Sequence, residues 1–543
     1  MNKVFLIGID GVGWTLIKPW IKQSRLPLFK KIIEEGVHGD NITVIPCGTS
    51  PCIPSFYTGK NPANTGVFGF RKPDGSIISY EDIRDPSFWD FMPEKRSLII
   101  NIRSTYPPIL KNGVMVSGTN TPSEKCEYVY PKAYKKFFKG FHSEFFETRK
   151  DINQSDMAKI YFKSTETKFK KFEQLFFKEK FDFTVFYICL SDPLQHYCWN
   201  KKEVILEYLQ SVENMLVPFL KKIPEYNVIV FSDHGHEGAP EKIFYINEWL
   251  ERKKYLTIKG SGLKRFLIKR VFSFYSKFYY ALGWSVSRIL PLTLYNKVFK
   301  IAKKFSLEGT DNVGRESVKK YDKEANELFE KRKNIVMEKT LTNLSEIDMN
   351  RTKAYLDQKW GIRVIKKNVK NYKAFTKKLV KELSNIKDRK GNKVFRKVCR
   401  REDVYNGKYL SIIPDIVFLF HESFEARKGF SSRLITKIRV KRHFNSRVYG
   451  SHENARKGIF MAYGPDIKKG TEIKPVSILD LAPTILHMNQ TPVPAELEGK
   501  VIKEMFKPGS KLSKTKIRYT KQSKKDAEKE LISSLLMSGR IKG

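Results

Sequence analysis

Cysteine is scarce in this chain: six residues in 543 (Cys47, Cys52, Cys126, Cys189, Cys198 and Cys399), irregularly spaced and without one C-x-x-C pair. That excludes a disulfide framework or a zinc finger as the source of the fold. Acidic residues are also short, 58 against 101 Lys and Arg, which leaves a formal charge of +43. Such an excess is more than solubility needs, and it predicts attraction to polyanions, anionic membrane surfaces or phosphorylated substrates without choosing among them. Long apolar runs are missing as well. The segment 264–305, rich in aromatic and aliphatic residues, is interrupted by Lys and Arg and falls short of the ~20 uncharged residues that span a bilayer. The opening apolar run stops at Asp10 with no small-residue cleavage site, so it does not read as a secretory signal, and the protein is expected to be cytoplasmic, with a membrane-peripheral position as the variant.

What is present suits an enzyme. At 41% hydrophobic and 13% aromatic, the chain can bury a large core and is expected to hold one big α/β domain with an insertion. VFLIGID is a short apolar run stopped by Asp-Gly, as in a buried parallel strand whose carboxyl end faces a crevice. SLIINI (97–102), FTVFYICL (183–190), NVIVFSD (227–233), DIVFLF (415–420) and GIFMAYG (458–464) read as further strands, and helical patterns lie at 155–180, 201–222 and 477–488. The alternation argues for a mostly parallel sheet sandwiched by helices. The expected division is a catalytic domain over 1–239 and 351–506, a basic and mainly helical cap over 240–350, and a basic tail over 507–543 read as mobile. Within the cap, 264–305 has two readings: an amphipathic element lying on anionic lipid, or a lid packed on the catalytic domain with its lysines solvated. The second is favoured.

Histidine is rare too, nine residues in all, and that concentrates attention on where they stand. Asp10 ends VFLIGID, Asp192 and His196 lie in SDPLQH, Asp233 and His234 end NVIVFSDH, and His452 sits in YGSHE, while Thr49 lies in IPCGTSPCIPSFYTG. Six of these residues read as two halves of a dinuclear metal site, and Thr49 sits where a reaction would occur. Singly, each is weak: Asp-Gly is more often a turn or a helix cap, and an Asp and His four apart usually make a surface interaction. Their combination carries the reading. His236 suits a site-lining position and a solvated loop equally, and His38, His142, His421, His443 and His487 are read as structural or surface residues.

The ordered set GIDG, T-x-P before S-F-x-T-G, D-x-x-x-H, S-D-H-G and G-S-H resembles the alkaline phosphatase superfamily, nearest its type I phosphodiesterase/nucleotide pyrophosphatase group. NIRSTYPPILKNGVMVSGTNTPS (101–123), GKNPANTGVFGF (59–70), RREDVYNG (400–407) and SILDLAPTILHM (477–488) are similar to the phosphohydrolase/phosphomutase subgroup of that superfamily. The resemblance implies an alkaline-phosphatase-like fold and two divalent ions, one held by Asp192, His196 and His452, the other by Asp10, Asp233, His234 and the Thr49 oxygen. Two cations suit the chemistry, because a phosphate ester repels an anionic nucleophile until its oxygens are neutralised. The mixed imidazole and carboxylate donors suit zinc, with manganese as the substitute.

Thr49 is the nucleophile the resemblance implies, since counting back from Thr58-Gly59 puts it in register with the first residue of the sulfatase C-x-P-S-R motif. Cys52-Ile53-Pro54-Ser55 mimics that motif three residues late and without the arginine, which argues against a sulfatase. The asparagine with which nucleotide pyrophosphatases bind phosphate cannot be placed on any position of this sequence, so a backbone amide or a cation of the cap is expected to serve, or the substrate differs. The function implied is a metal-dependent phosphohydrolase working through a phosphothreonine intermediate. The alternatives are a phosphomutase, which the threonine disfavours because the cofactor-independent phosphoglycerate mutases use serine, and an inactive polyanion- or membrane-binding protein, which the complete ligand set disfavours. The expected partner is a phosphorylated small molecule, nucleotide or lipid-linked substrate. Nucleic acid is not specifically indicated, and no motif specifies an oligomeric state.

Overall fold

Lys3–Ile9 form strand β1, and every residue from Val4 to Ile9 is buried, as expected of an apolar run covered on both faces of a sheet. The computed structural model describes residues 3–72, 76–83, 85–142, 153–259, 347–431, 433–438 and 448–520. The other apolar runs follow the same logic: β2 (Gly36–Ile42), β3 (Ser97–Ile102), β4 (Gly113–Ser117), β5 (Val129–Tyr130), β6 (Phe183–Ile188) and β7 (Tyr226–Phe231). With three later strands they make a ten-stranded sheet, ordered Thr471–Glu472, β2, Lys457–Tyr463, β7, β1, β6, β3, β4, β5, with Val476–Ser477 also paired to β2. The centre is parallel: β1 runs with β6 and β7, and β3 with β6 and β4. Lys457–Tyr463 is antiparallel to β7 and β2, and β5 to β4, so the sheet is mostly parallel with antiparallel flanks.

Register puts the carboxyl ends of the three central strands at one level. Ile9 faces Ile188 and Gly8 faces Phe231, so the residues that follow β1, β6 and β7 emerge side by side. The predicted helices are found at Gln154–Lys178, Lys202–Lys221 and, after one turn of 3₁₀ helix, Leu481–Met488. The first two carry Phe172, Phe176 and Phe219 onto β1, where Phe172 stacks on Phe5 at 5.7 Å and Phe219 meets it at 5.3 Å, and Phe169 onto Phe186 of β6. Aromatic packing of this kind fixes the strand ends against a rigid layer.

The chain divides into two compact units, Met1–Ala239 with Arg401–Ile413 and His443–Gly543, and Pro240–Arg400 with Pro414–Arg442. In the second, Ala354–Gln358, Gly361–Val364, Ile416–Phe420 and Phe395–Arg400 form an antiparallel sheet against helix Tyr372–Ser384. A three-stranded sheet joins Phe424–Arg427, Lys242–Tyr245 and Ile435–Lys437. Two expectations are corrected here. The DIVFLF strand belongs to this second unit and not to the large sheet, and residues 351–400 and 414–431 group with it rather than with the first unit. An apolar run specifies a buried strand but not which sheet buries it, and here antiparallel partners nearby in sequence took it. The segments 264–305 and 521–543 lie outside the described residues, so the membrane-surface and lid readings fall there. The tail read as mobile over 507–543 is corrected for its first part: Leu512 is buried and Tyr519–Thr520 pair with Val493–Pro494, so 507–520 pack on the first unit. Among the described residues no helix is long and apolar enough to cross a membrane.

Candidate metal centre

Asp10 leaves β1 with its backbone amide on the Ile188 carbonyl at 3.0 Å, a last rung of the parallel ladder that fixes where the carboxylate points. Beyond β6, helix Ser191–Cys198 carries Asp192 in its first turn and His196 one turn later, on one face as the four-residue spacing requires. Their side chains approach to 3.5 Å, Oδ2 to Nε2. Beyond β7 come Ser232, Asp233 and His234. The Ser232 hydroxyl accepts from the Val12 amide at 2.8 Å and donates to the His234 carbonyl at 2.6 Å, which ties the β1 and β7 turns together. Asp233 Oδ1 accepts from the amides of Gly11 and His234. Its other oxygen lies 3.4 Å from His234 Nε2.

Thr49 is the first residue of helix Thr49–Thr58, entered through Gly48 at φ +145°, a conformation that side-chain-bearing residues rarely adopt. A Cβ on Gly48 would stand 3.0 Å from His452 Cε1, so glycine also admits His452 next to Thr49. The Thr49 hydroxyl is 3.2 Å from Asp10 Oδ1 and 3.1 Å from His234 Nε2. The His452 ring lies 4.4 Å from that of His234 and 4.9 Å from that of His196. All seven predicted residues therefore meet at the carboxyl end of the sheet, in the first unit.

The unmet hydrogen bonds of this donor set fit cations. Asp10 Oδ2, Asp192 Oδ1, Asp233 Oδ2, His452 Nδ1 and both ring nitrogens of His236 are buried without a hydrogen-bond partner. Leaving such groups bare costs on the order of 1–3 kcal/mol each, more for charged ones, and a cluster of orphaned acceptors fits cation binding. Three sets bring their ligand atoms within 4.8 Å of one another: Asp10, Asp233 and His234; Asp192, His234 and His452; Asp192, His196 and His236. Second contacts orient the rings as metal ligands are usually oriented, with His196 Nδ1 2.9 Å from the Gly450 carbonyl and His234 Nδ1 2.8 Å from the Gly235 carbonyl, so both Nε2 atoms keep their lone pairs. Electrostatics agree. Burial, then the charges of Asp233 and Asp192, pushes the Asp10 carboxyl well above the usual range, and burial followed by Asp192 pushes Asp233 up to about 7. Carboxylates so placed stay ionised beside cations and take up protons otherwise.

One residue near the site escaped sequence reasoning, and for another the sequence leaves two readings open. Arg103, at the end of β3 within the NIRSTYPP motif, places Nε 3.6 Å from Asp10 Oδ2 and its guanidinium 5.7 Å from the ring of Phe70. Only 12% of its side chain is exposed, and burial, the largest single effect, is outweighed by Asp10, Asp192 and their neighbours together, so it stays charged. A lone arginine in a quoted motif carries no signal of its own. His236 is buried beside Asp192, not solvated. Of the remaining histidines, His142 and His487 are buried against backbone carbonyls, His38 is part-buried, His421 is exposed, and His443 lies outside the described residues. Cys52 is fully buried with its thiol pushed up to about 12, first by burial, which makes it inert and removes the shifted sulfatase register.

The profile of the type I phosphodiesterase / nucleotide pyrophosphatase family matches residues 4–445. Among solved structures, the chain is similar to murine ectonucleotide pyrophosphatase / phosphodiesterase 5, with 11% identity, 93% of this chain and 100% of that chain covered, and a TM-score of 0.46. It is similar to the human protein of the same name at 12% identity, 90% and 95% coverage and a TM-score of 0.43. An inactive threonine-to-alanine form of the murine protein in complex with AMP matches at 12% identity, 90% and 96% coverage and a TM-score of 0.46. No curated protein matches the chain.

Proposed function

Because the chain belongs to the type I phosphodiesterase / nucleotide pyrophosphatase family and is a phosphoric ester hydrolase, we propose that it cleaves its substrate through a phosphothreonine at Thr49. The observation that carries this reading is the placement of Thr49 Oγ1 between two acceptors, Asp10 Oδ1 and His234 Nε2. His234 directs its N–H to the Gly235 carbonyl, so neither neighbour of the hydroxyl oxygen offers a proton, and both compete for the one it has. A hydroxyl so placed is ready to lose its proton and attack.

Asp192, His196 and His452 would hold one divalent ion and Asp10, Asp233, His234 and Thr49 the other, zinc being the metal this donor set suits best and manganese the substitute. Bound there, the ions would supply neutralisation of the phosphoryl oxygens and acidification of the nucleophile. The chain's own groups do the rest. Thr49 opens its helix, so the first backbone amides, which have no carbonyl within the helix, face the attacked group, and the buried Ser50 hydroxyl beside them has no partner of its own. Arg103 brings a fixed positive charge to a non-bridging oxygen, the role expected of a cap cation but filled from β3. The oxygen of Thr49 bonds to phosphorus as the bond to the leaving oxygen breaks. Water then attacks phosphorus, the Thr49 oxygen leaves and recovers a proton, and the phosphoryl group departs.

The test is a metal-supplemented assay of the purified protein on matched aryl phosphate, aryl phosphodiester and nucleotide substrates, with acid quenching to trap phosphothreonine. Turnover with label on Thr49 is the expected result. Turnover without label on the protein, retained in Thr49→Ala, would exclude the covalent route.

A further inference from the structure

His236 is 2% exposed, and neither ring nitrogen makes a hydrogen bond. A neutral imidazole must carry one N–H and one lone pair, so a buried ring with both nitrogens unmet is costly unless something else occupies one of them. The surroundings decide which. At Nε2 the backbone closes in: a Cβ on Gly450 would stand 2.7 Å from that nitrogen and 2.6 Å from the Gln195 carbonyl, so glycine is what lets the ring fit there. Nδ1 faces the other way, 3.4 Å from Asp192 Oδ1, near but not aligned for a hydrogen bond, and that oxygen is itself orphaned.

Asp192 thus points its two oxygens at two different imidazoles, Oδ2 at His196 Nε2 at 3.5 Å and Oδ1 at His236 Nδ1 at 3.4 Å. The rings of His196 and His236 are 4.6 Å apart, and Trp199 covers His236 at 5.3 Å. His452 lies nearer to His234 than to either of them, at 4.4 Å against 4.9 Å from His196 and 6.0 Å from His236. With the ring proton on Nε2, Nδ1 and Asp192 Oδ1 are two lone-pair-bearing atoms facing each other, and they repel unless a cation lies between them.

We propose that His236 is a metal ligand through Nδ1, joining Asp192 and His196, so that this half of the centre carries one imidazole more than the seven-residue set supplies. The inference rests on the metal-centre reading above and adds a donor to it. A half-site richer in nitrogen selects a borderline ion such as zinc or cobalt over magnesium or manganese, whereas the Asp10, Asp233 and His234 half, richer in oxygen, discriminates less.

The experiment compares wild type, His236→Ala and His236→Asn after chelator stripping, reading zinc bound per chain, zinc affinity by competition with a chromogenic chelator, and the visible spectrum of the cobalt-loaded protein. Asn places an amide nitrogen near the Nδ1 position, so it can donate to Asp192 but is a poor ligand. The expected result is a loss of about tenfold or more in affinity at one of two sites in both variants, with an altered cobalt spectrum. Recovery of wild-type affinity in His236→Asn would reduce His236 to a hydrogen-bond donor, and unchanged affinity and spectrum in both variants would reduce it to packing. Either overturns the proposal. X-ray absorption on zinc-loaded wild type tests it without any variant, since four imidazoles shared by two ions, and not three, should be counted. If wild type binds no metal, the metal-centre reading itself fails, which is distinct from a wild type that binds two ions regardless of residue 236.

Discussion

Two groups of charged side chains are buried in the first unit, and they treat their charges in opposite ways. Around Asp85, Lys60 Nζ lies 3.0 Å from one carboxylate oxygen and Lys408 Nζ 3.0 Å from the other. Beside them Asn61 and Asn64 both donate to Glu498 and to the Asn406 carbonyl, which joins the GKNPANTG and RREDVYNG segments. Burial raises the Asp85 carboxyl, yet the two lysines outweigh it and hold it below its usual range. Around Asp10 the carboxylates gather with each other, several oxygens have no partner, and the Asp10 and Asp233 carboxyls are pushed up. Charges that satisfy one another hold a fold together, while like charges packed without partners need something the chain does not contain. The first cluster has the character of architecture, and the second has the character proposed for it, a binding site.

The sharpest way to break that distinction is to remove one residue from each cluster. Thr49→Ala should lower turnover by about 10³-fold or more while leaving thermal stability and metal content near wild type, because it deletes the attacking oxygen and only one donor of several. Asp85→Asn should do the reverse. Leaving Lys60 buried with half its pairing lost costs on the order of 3–5 kcal/mol, read as a lower denaturation midpoint, with zinc stoichiometry of the folded protein unchanged. If Asp85→Asn instead sheds metal, or Thr49→Ala melts the fold, the two clusters are not separable.

The same comparison explains what was legible in the sequence. Asp10, Asp192, Asp233 and their histidines stand immediately after strands or on the turn that follows, and strand ends are visible as the point where an apolar run stops. Parallel neighbours with matched register then place those ends together without further information. Arg103 was not legible beside the site and His236 only as one of two equal readings, because what places them there is burial against Asp10 and Asp192, a property of tertiary packing. DIVFLF was legible as a strand but not as a member of the second unit, since its partners Ile362 and Val398 are chosen by antiparallel pairing that leaves no mark in an apolar run. Nor does the Asp85 cluster announce itself, as its lysines come from positions far apart in a chain where lysine is everywhere.

Arg103 belongs to neither cluster cleanly, and its substitution sharpens the boundary. It pairs with Asp10 as Lys60 pairs with Asp85, but more loosely, at 3.6 Å, and its guanidinium also lies 5.7 Å from the ring of Phe70. If it serves incoming phosphoryl oxygens, Arg103→Ala should cost about 10²-fold in kcat/KM on an aryl phosphate, whose terminal group carries an extra charge, and clearly less on the matched diester. Equal losses on both esters, accompanied by loss of metal, would make it a support for Asp10 instead.

The smallest expected effect concerns a third buried carboxylate, which asks whether an acid without a cation always marks a site. Glu213, on helix Lys202–Lys221, is 2% exposed and accepts the Phe29 amide at 2.8 Å near the start of helix Pro27–Glu35. Burial pushes its carboxyl up from 4.5 to about 7, the backbone hydrogen bonds opposing it. A single isolated acid can meet its burial by keeping its proton, which three crowded carboxylates among imidazoles cannot all do without giving up their ligand character. The folded pKa lies above the unfolded one, so the folded state holds the proton more tightly. This group therefore favours folding most below about pH 4.5, and that contribution is lost as pH rises toward 7. Glu213→Gln keeps an acceptor for Phe29 and cannot ionise. It should flatten that part of the stability profile and raise stability near pH 8 by on the order of 1–3 kcal/mol, with metal content unaffected. Thermal melting of both proteins between about pH 5 and pH 8 reads this directly. A variant whose profile parallels wild type across that window would show that Glu213 is ionised in the folded protein, and the contrast between a protonated lone acid and a metal-binding cluster would lose its control.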